Sequence, residues 1–95
     1  MNRELYEVYC EMFNEAHELT KKINTSLVAN NATVYSVFVS VGKEETREFF
    51  VDIEYNENGY NRVYGLVTRE RLEKRFNLNP KINEEWLDEE WIDEV

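Results

Sequence analysis

Phe49-Phe50-Val51-Asp52-Ile53-Glu54-Tyr55, followed by Asn56-Glu57-Asn58-Gly59, is the stretch that decides the fold. Phe49, Val51, Ile53 and Tyr55 alternate with Glu48, Phe50, Asp52 and Glu54, the period-two pattern of a strand with one buried face and one wet face. Asn-Gly is the strongest short hairpin signal, because both positions tolerate positive φ. The chain therefore reverses, and Tyr60 to Val67 returns as a neighbouring strand, with Gly65 expected to mark a close backbone approach or a bulge. Upstream, Thr33 to Val41 reads as another strand, with Tyr35, Val37, Val39 and Val41 on one face and Val34, Ser36, Phe38 and Ser40 on the other. Gly42-Lys43-Glu44-Glu45 is the expected turn between the two.

Helical periods flank these strands. From Glu4 to Asn24, Leu5, Val8, Met12, Ala16, Leu19 and Ile23 recur at steps of three and four, one face of a helix. One flank of that face is nearly continuous carboxylate (Glu4, Glu7, Glu11, Glu15 and Glu18, then Lys22). The other reads Tyr6, Tyr9, Phe13, His17, Thr20 and Asn24. Lys21 and Lys22 are placed to complement the dipole in the last turn, and residues 24–32 read as a polar connection. Thr68 is an N-cap with Val67 and Leu72 as a hydrophobic staple, so a short helix follows, stopped by Asn79-Pro80. Asn83 can cap a last helix over Glu84 to Asp93, with Leu87, Trp91 and Val95 at i, i+4 and i+8. The expected architecture is α+β: a three-stranded antiparallel meander with helices on one face, in the order α-β-β-β-α(-α). Residues 1–83 form the domain and 84–95 an acidic, tryptophan-bearing helical segment.

A chain of 95 residues holds one core and little else. With 42% hydrophobic and 33% charged residues, three Gly and one Pro, it is too apolar for a disordered chain and too charged for a membrane span. Met1-Asn2-Arg3-Glu4 carries no apolar signal core, and the single Cys10 fits a reducing compartment, so a cytoplasmic location is expected. A nucleophile needs a base in reach. The only histidine, His17, lies seven positions from Cys10, about 10 Å along a helix. Asp52 and Glu54 share a strand face and form a carboxylate pair, but without further ligands they read as a solvated face, and three separated glycines make no phosphate cradle. No catalytic residue, metal or cofactor is expected.

Charge is distributed unevenly. The net charge is −9; residues 1–60 carry −6, residues 61–83 carry +4 and residues 84–95 carry −7. Two surfaces follow. The first is acidic: Glu48, Asp52 and Glu54 on the wet face, Glu44, Glu45 and Glu57 in the turns, and Glu84, Glu85, Asp88, Glu89, Glu90, Asp93 and Glu94 interleaved with Trp86 and Trp91. Carboxylates at a density comparable to that of duplex phosphates offer a nucleic-acid-binding protein a substitute polyanion, and tryptophans are common interface anchors. The second surface is a basic patch of Arg62, Arg69, Arg71, Lys74 and Arg75, which could meet phosphates or offset the acidic tail or the Glu flank of the first helix, the contact of tail on patch being the simplest use of −7 beside +4.

The order α-β-β-β-α with bases opening the second helix is similar to the double-stranded-RNA-binding domain. That family's Gly-Pro-x-His loop is replaced here by Gly42-Lys43-Glu44-Glu45, which repels phosphate. The acidic strand Phe49 to Glu54, the turn Asn56 to Gly59 and the Glu/Asp/Trp tail together resemble small acidic phage inhibitors, including some anti-CRISPR proteins and other DNA mimics. That resemblance implies a non-enzymatic inhibitor, monomeric or homodimeric, that blocks the nucleic-acid site of a basic protein such as a nuclease, without contacting nucleic acid or membrane itself. An antitoxin or immunity protein neutralising a basic toxin uses the same acids. A small nucleic-acid-binding domain acting through residues 69–75 is the third reading.

Overall fold

The computed structural model describes residues 3–78. Helix α1 spans Arg3–Ala29, strands β1, β2 and β3 span Thr33–Lys43, Glu48–Asn56 and Tyr60–Thr68, and helix α2 spans Arg69–Phe76. The strands form one antiparallel sheet in the order β1-β2-β3. Phe49, Val51, Ile53 and Tyr55 of β2 are buried, and Met12, Ala16, Leu19, Ile23 and Leu27 of α1 with Leu72 and Phe76 of α2 close over them. Both helices therefore share one face of the sheet, as the alternation in β2 requires. The opposite face of the sheet is open among the described residues. The expected boundary at residue 83, the stop at Asn79-Pro80 and the segment 84–95 lie outside the described residues.

Four local expectations are corrected. Helix α1 runs through Asn24 to Ala29, where a connection was expected, because Leu27 continues the stripe one turn beyond Ile23 and is itself buried. Lys21 and Lys22 consequently lie inside the helix, and its last turn holds no base. In β1 the pairing slips between Val34 and Ser36, so Val34 packs against the core and Tyr35 turns outward, away from Val37, Val39 and Val41. The β1–β2 connection begins after Lys43: a second irregularity lies between Val41 and Lys43, and Arg47, with φ 54°, reverses the chain. Helix α2 is capped by the Thr68 hydroxyl, which accepts from Arg71 N–H, and ends on Asn77 in the left-handed conformation (φ 56°). Asn77, two residues before the expected stop, supplies the signal.

Glycines also behave differently from expectation. Gly65 lies in unbroken register and an added Cβ there would meet nothing within 4 Å, so it is neither a bulge nor a close approach; it holds φ +124°. The close approach is at Gly42, whose added Cβ would stand 2.8 Å from the Glu48 carbonyl and 2.9 Å from the Phe50 nitrogen. Asn58 and Gly59 both take positive φ, as the hairpin requires.

Candidate functional site

The two flanks of α1 face different neighbours. Its carboxylate flank looks toward α2 and the β1–β2 turn. Arg69, the first residue of α2, reaches Glu15 at 3.6 Å and Glu18 at 3.3 Å, and donates to Glu73 at 2.9 Å. Arg47 donates from the turn to Glu11 at 3.0 Å. Beyond these contacts the N-terminal half of α1 and the turn enclose an open groove of about 440 Å³, lined by Glu4, Glu7, Glu11, Glu44 and Glu45 with Arg47 at its side. Five carboxylates from segments more than thirty residues apart thus converge at one end of the molecule. Arg3 meets Glu7 at 3.7 Å and Arg47 meets Glu11, whereas Glu44 and Glu45 form no ion pair with any described residue. Glu44 and Glu45 were candidate residues from sequence; Glu4, Glu7 and Glu11 were legible only as a helix flank, because nothing local tells which turn that flank meets.

The other acidic candidates go elsewhere. Asp52 and Glu54 lie on the open sheet face beside Arg62 of β3, which grips Asp52 through two hydrogen bonds and comes within 3.9 Å of Glu54. The Tyr60 hydroxyl donates to Glu54, and that carboxylate pushes the Tyr60 phenol above its ordinary pKa. Thr46 donates to Glu48 at 2.7 Å. Glu57 stands in the β2–β3 turn, the whole length of β2 away from Glu44 and Glu45, about 30 Å by strand rise. Glu84, Glu85, Trp86, Asp88, Glu89, Glu90, Trp91, Asp93 and Glu94 lie outside the described residues.

The open face is also less acidic than β2 alone suggests. Phe38, Phe50 and Tyr64 cross it edge to face, with ring centroids 6.2 and 5.3 Å apart, and the Arg62 guanidinium lies 4.7 Å from the Tyr64 ring. This aromatic row was missed in the sequence because its members come from three strands; only the register aligns them.

The basic patch is divided between two faces. Arg62 stands on the open face, opposite α2, and is held by Asp52. Arg69 is bound by three glutamates, which outweigh the cost of its partial burial and raise its pKa further above the usual arginine value. Arg71 and Lys74 are exposed, and Arg75 donates to the Tyr55 hydroxyl at 3.3 Å. Among the described residues no group of three or more His, Cys, Asp or Glu side chains could hold a metal ion. Cys10 is a free, exposed cysteine. No helix among the described residues is long and apolar enough to cross a membrane. In comparisons with known proteins, the chain matches no family model, no curated protein and no solved structure.

Proposed function

We propose that the protein is a non-enzymatic binding protein whose acidic end engages the basic, nucleic-acid-binding surface of another protein. One observation carries this reading: the groove in which Glu4, Glu7 and Glu11 of α1 meet Glu44 and Glu45 of the turn. Carboxylates gathered at one end steer a cationic partner over several ångströms and then meet its Lys and Arg side chains at contact distance. Phosphate-binding surfaces are built from those same side chains, so a protein that fills one competes with nucleic acid.

The internal use of bases supports this direction of charge. Residues 3–78 hold 13 acidic and 10 basic side chains, and Arg62 of β3 and Arg69 of α2 are bound to carboxylates of the same chain. The finer form of the proposal is a phage-encoded inhibitor of a nuclease acting in the bacterial cytoplasm, with the acids and tryptophans of residues 84–95 extending the contact.

Immobilised full-length protein, challenged with a bacterial lysate, tests the reading. The expected result is retention of a nucleic-acid-binding protein that short duplex DNA displaces, that rising salt releases, and that the E44K/E45K variant no longer holds. Retention unaffected by both DNA and E44K/E45K would overturn it.

A further inference from the structure

We propose that the exposed edge of β1, together with the aromatic flank of α1 beside it, is a self-association surface on which a second copy of this chain docks about a two-fold axis, β1 against β1. Because the sheet order is β1-β2-β3, one side of β1 is unpaired among the described residues. Natural edge strands are usually guarded by lysine, proline, inward-pointing charge or a bulge; the two irregularities of β1 lie at its ends and leave the run between them regular. From Thr33 to Gly42, β1 has no charged residue and no proline, and its regular run Ser36 to Val41 is bounded by the two register irregularities. The other edge strand, β3, carries Arg62.

The layer above this edge is equally uncharged. Helix α1 packs chiefly on β1, and its flank on that side is Tyr6, Tyr9, Phe13, His17, Thr20 and Asn24. Tyr6 is 56% and Phe13 48% exposed. Phe13 stacks on Tyr9 and meets His17 edge to face at 5.0 Å. Between this row and the strand runs a groove of about 240 Å³, lined by Phe13 and His17 above and Val39 and Val41 below. On the open face the aromatic row Tyr64–Phe50–Phe38 runs to the same edge and ends on Phe38, 49% exposed. Apolar side chains thus reach this edge from both layers.

Charge selects the occupant. At a net −9, two copies repel each other wherever their acids face, and the Debye length of about 8 Å leaves that repulsion effective at contact. Along this strip the described residues of β1 from Thr33 to Gly42 and the facing flank of α1 place no acid to oppose, while a basic partner gains nothing by choosing it over the carboxylate groove. A two-fold axis at Val39, the level of the strand over which Phe13 stands, sets Val37 opposite Val41 and Phe38 opposite Ser40 of the second copy. The two Phe38 rings are then diagonal neighbours about 8 Å apart, within aromatic reach, and the two Phe13 side chains approach across the axis. A strip roughly 20 Å long on either element lies at the small end of specific interfaces, so the association is a weak one.

Sedimentation of the full chain between about 1 µM and 1 mM tests this, in a range that brackets weak association. The expected result is a monomer–dimer equilibrium for the wild type. F13K and F13E should each be monomeric with an unchanged circular dichroism spectrum, and mixing them should restore a dimer through the opposed charges. S40K, which puts a lysine on the edge strand at the position paired with Phe50, should weaken self-association by at least about tenfold. A wild type that stays monomeric to about 1 mM, an F13K/F13E mixture that stays monomeric, or a dimer indifferent to both positions would overturn the proposal.

Discussion

Arg62 grips Asp52 from the neighbouring strand, its Nε and one terminal nitrogen each donating to one carboxylate oxygen at 3.1 Å. The paired geometry fixes both side chains and lays the guanidinium on the Tyr64 ring, so a cation, two acids and an aromatic row share the open face. The acidic strand is therefore a partly neutralised surface, and its charge depends on one residue.

Replacing Arg62 with methionine should leave Asp52 and Glu54 facing each other on β2 without their cation. The expected outcome is a lower urea midpoint in low salt, with much of the loss recovered at high salt as the carboxylates are screened. D52N/R62M should be more stable than R62M alone. Equal midpoints for R62M and the wild type at low salt would show that the pair contributes nothing to the fold.

A second prediction concerns acid stability. Partial burial alone would raise the Glu18 carboxyl, but the hydrogen bond and charge of Lys22, with Arg69 adding to them, hold it below the ordinary value. A group whose folded pKa is depressed stabilises above its unfolded pKa, about 4.3 for glutamate, and that stabilisation is lost as pH falls through the folded value. Urea midpoints measured from pH 6 down to pH 3, a range spanning the usual glutamate titration, should therefore fall, and should fall less steeply in R69M and E18Q. Parallel acid limbs for the three proteins would contradict the assignment.

These two contacts show where sequence reading reaches and where it stops. The alternation Phe49, Val51, Ile53, Tyr55 places the core face of β2 unaided, because burial on one face imposes a period of two. The same alternation applied to β1 misplaces Tyr35, since one extra residue at a bulge leaves no local mark and reverses the face. The carboxylate groove is half legible: its helix flank follows from a 3.6-residue period, while its meeting with Glu44 and Glu45 depends on how far β1 carries the turn along α1. Arg62 read as a member of a basic patch because residues 61–83 together carry a net +4; its cross-strand neighbours are acids.

The extension of α1 beyond Asn24 can be tested at its two tertiary contacts. Leu27 is 2% exposed at the end of the stripe, and Ser26 donates through its hydroxyl to the Phe76 carbonyl at 2.9 Å, tying the last turn of α1 to the end of α2. Leu27→Ala should cost roughly 2–4 kcal/mol through lost burial and the cavity left behind. Ser26→Ala should cost about 1 kcal/mol, the worth of one partly buried hydrogen bond. Chemical denaturation measures both, and a neutral Leu27→Ala would mean that the helix ends nearer Asn24.

The two strand glycines should fail for different reasons. At Gly65 there is room for a methyl group but the backbone is at φ +124°, so Gly65→Ala should destabilise by roughly 1–3 kcal/mol through conformational strain alone. At Gly42 the obstruction is steric: the new Cβ would stand 2.5 Å from Leu66 Cδ2, and also within 2.9 Å of backbone atoms of Glu48 and Phe50. The leucine can move aside and the β2 backbone cannot without disturbing the sheet. Gly42→Ala should therefore lower the denaturation midpoint, and adding Leu66→Ala should not restore it. If shortening Leu66 does restore it, the side chain is the obstacle and the backbone approach at Gly42 is looser than its geometry implies.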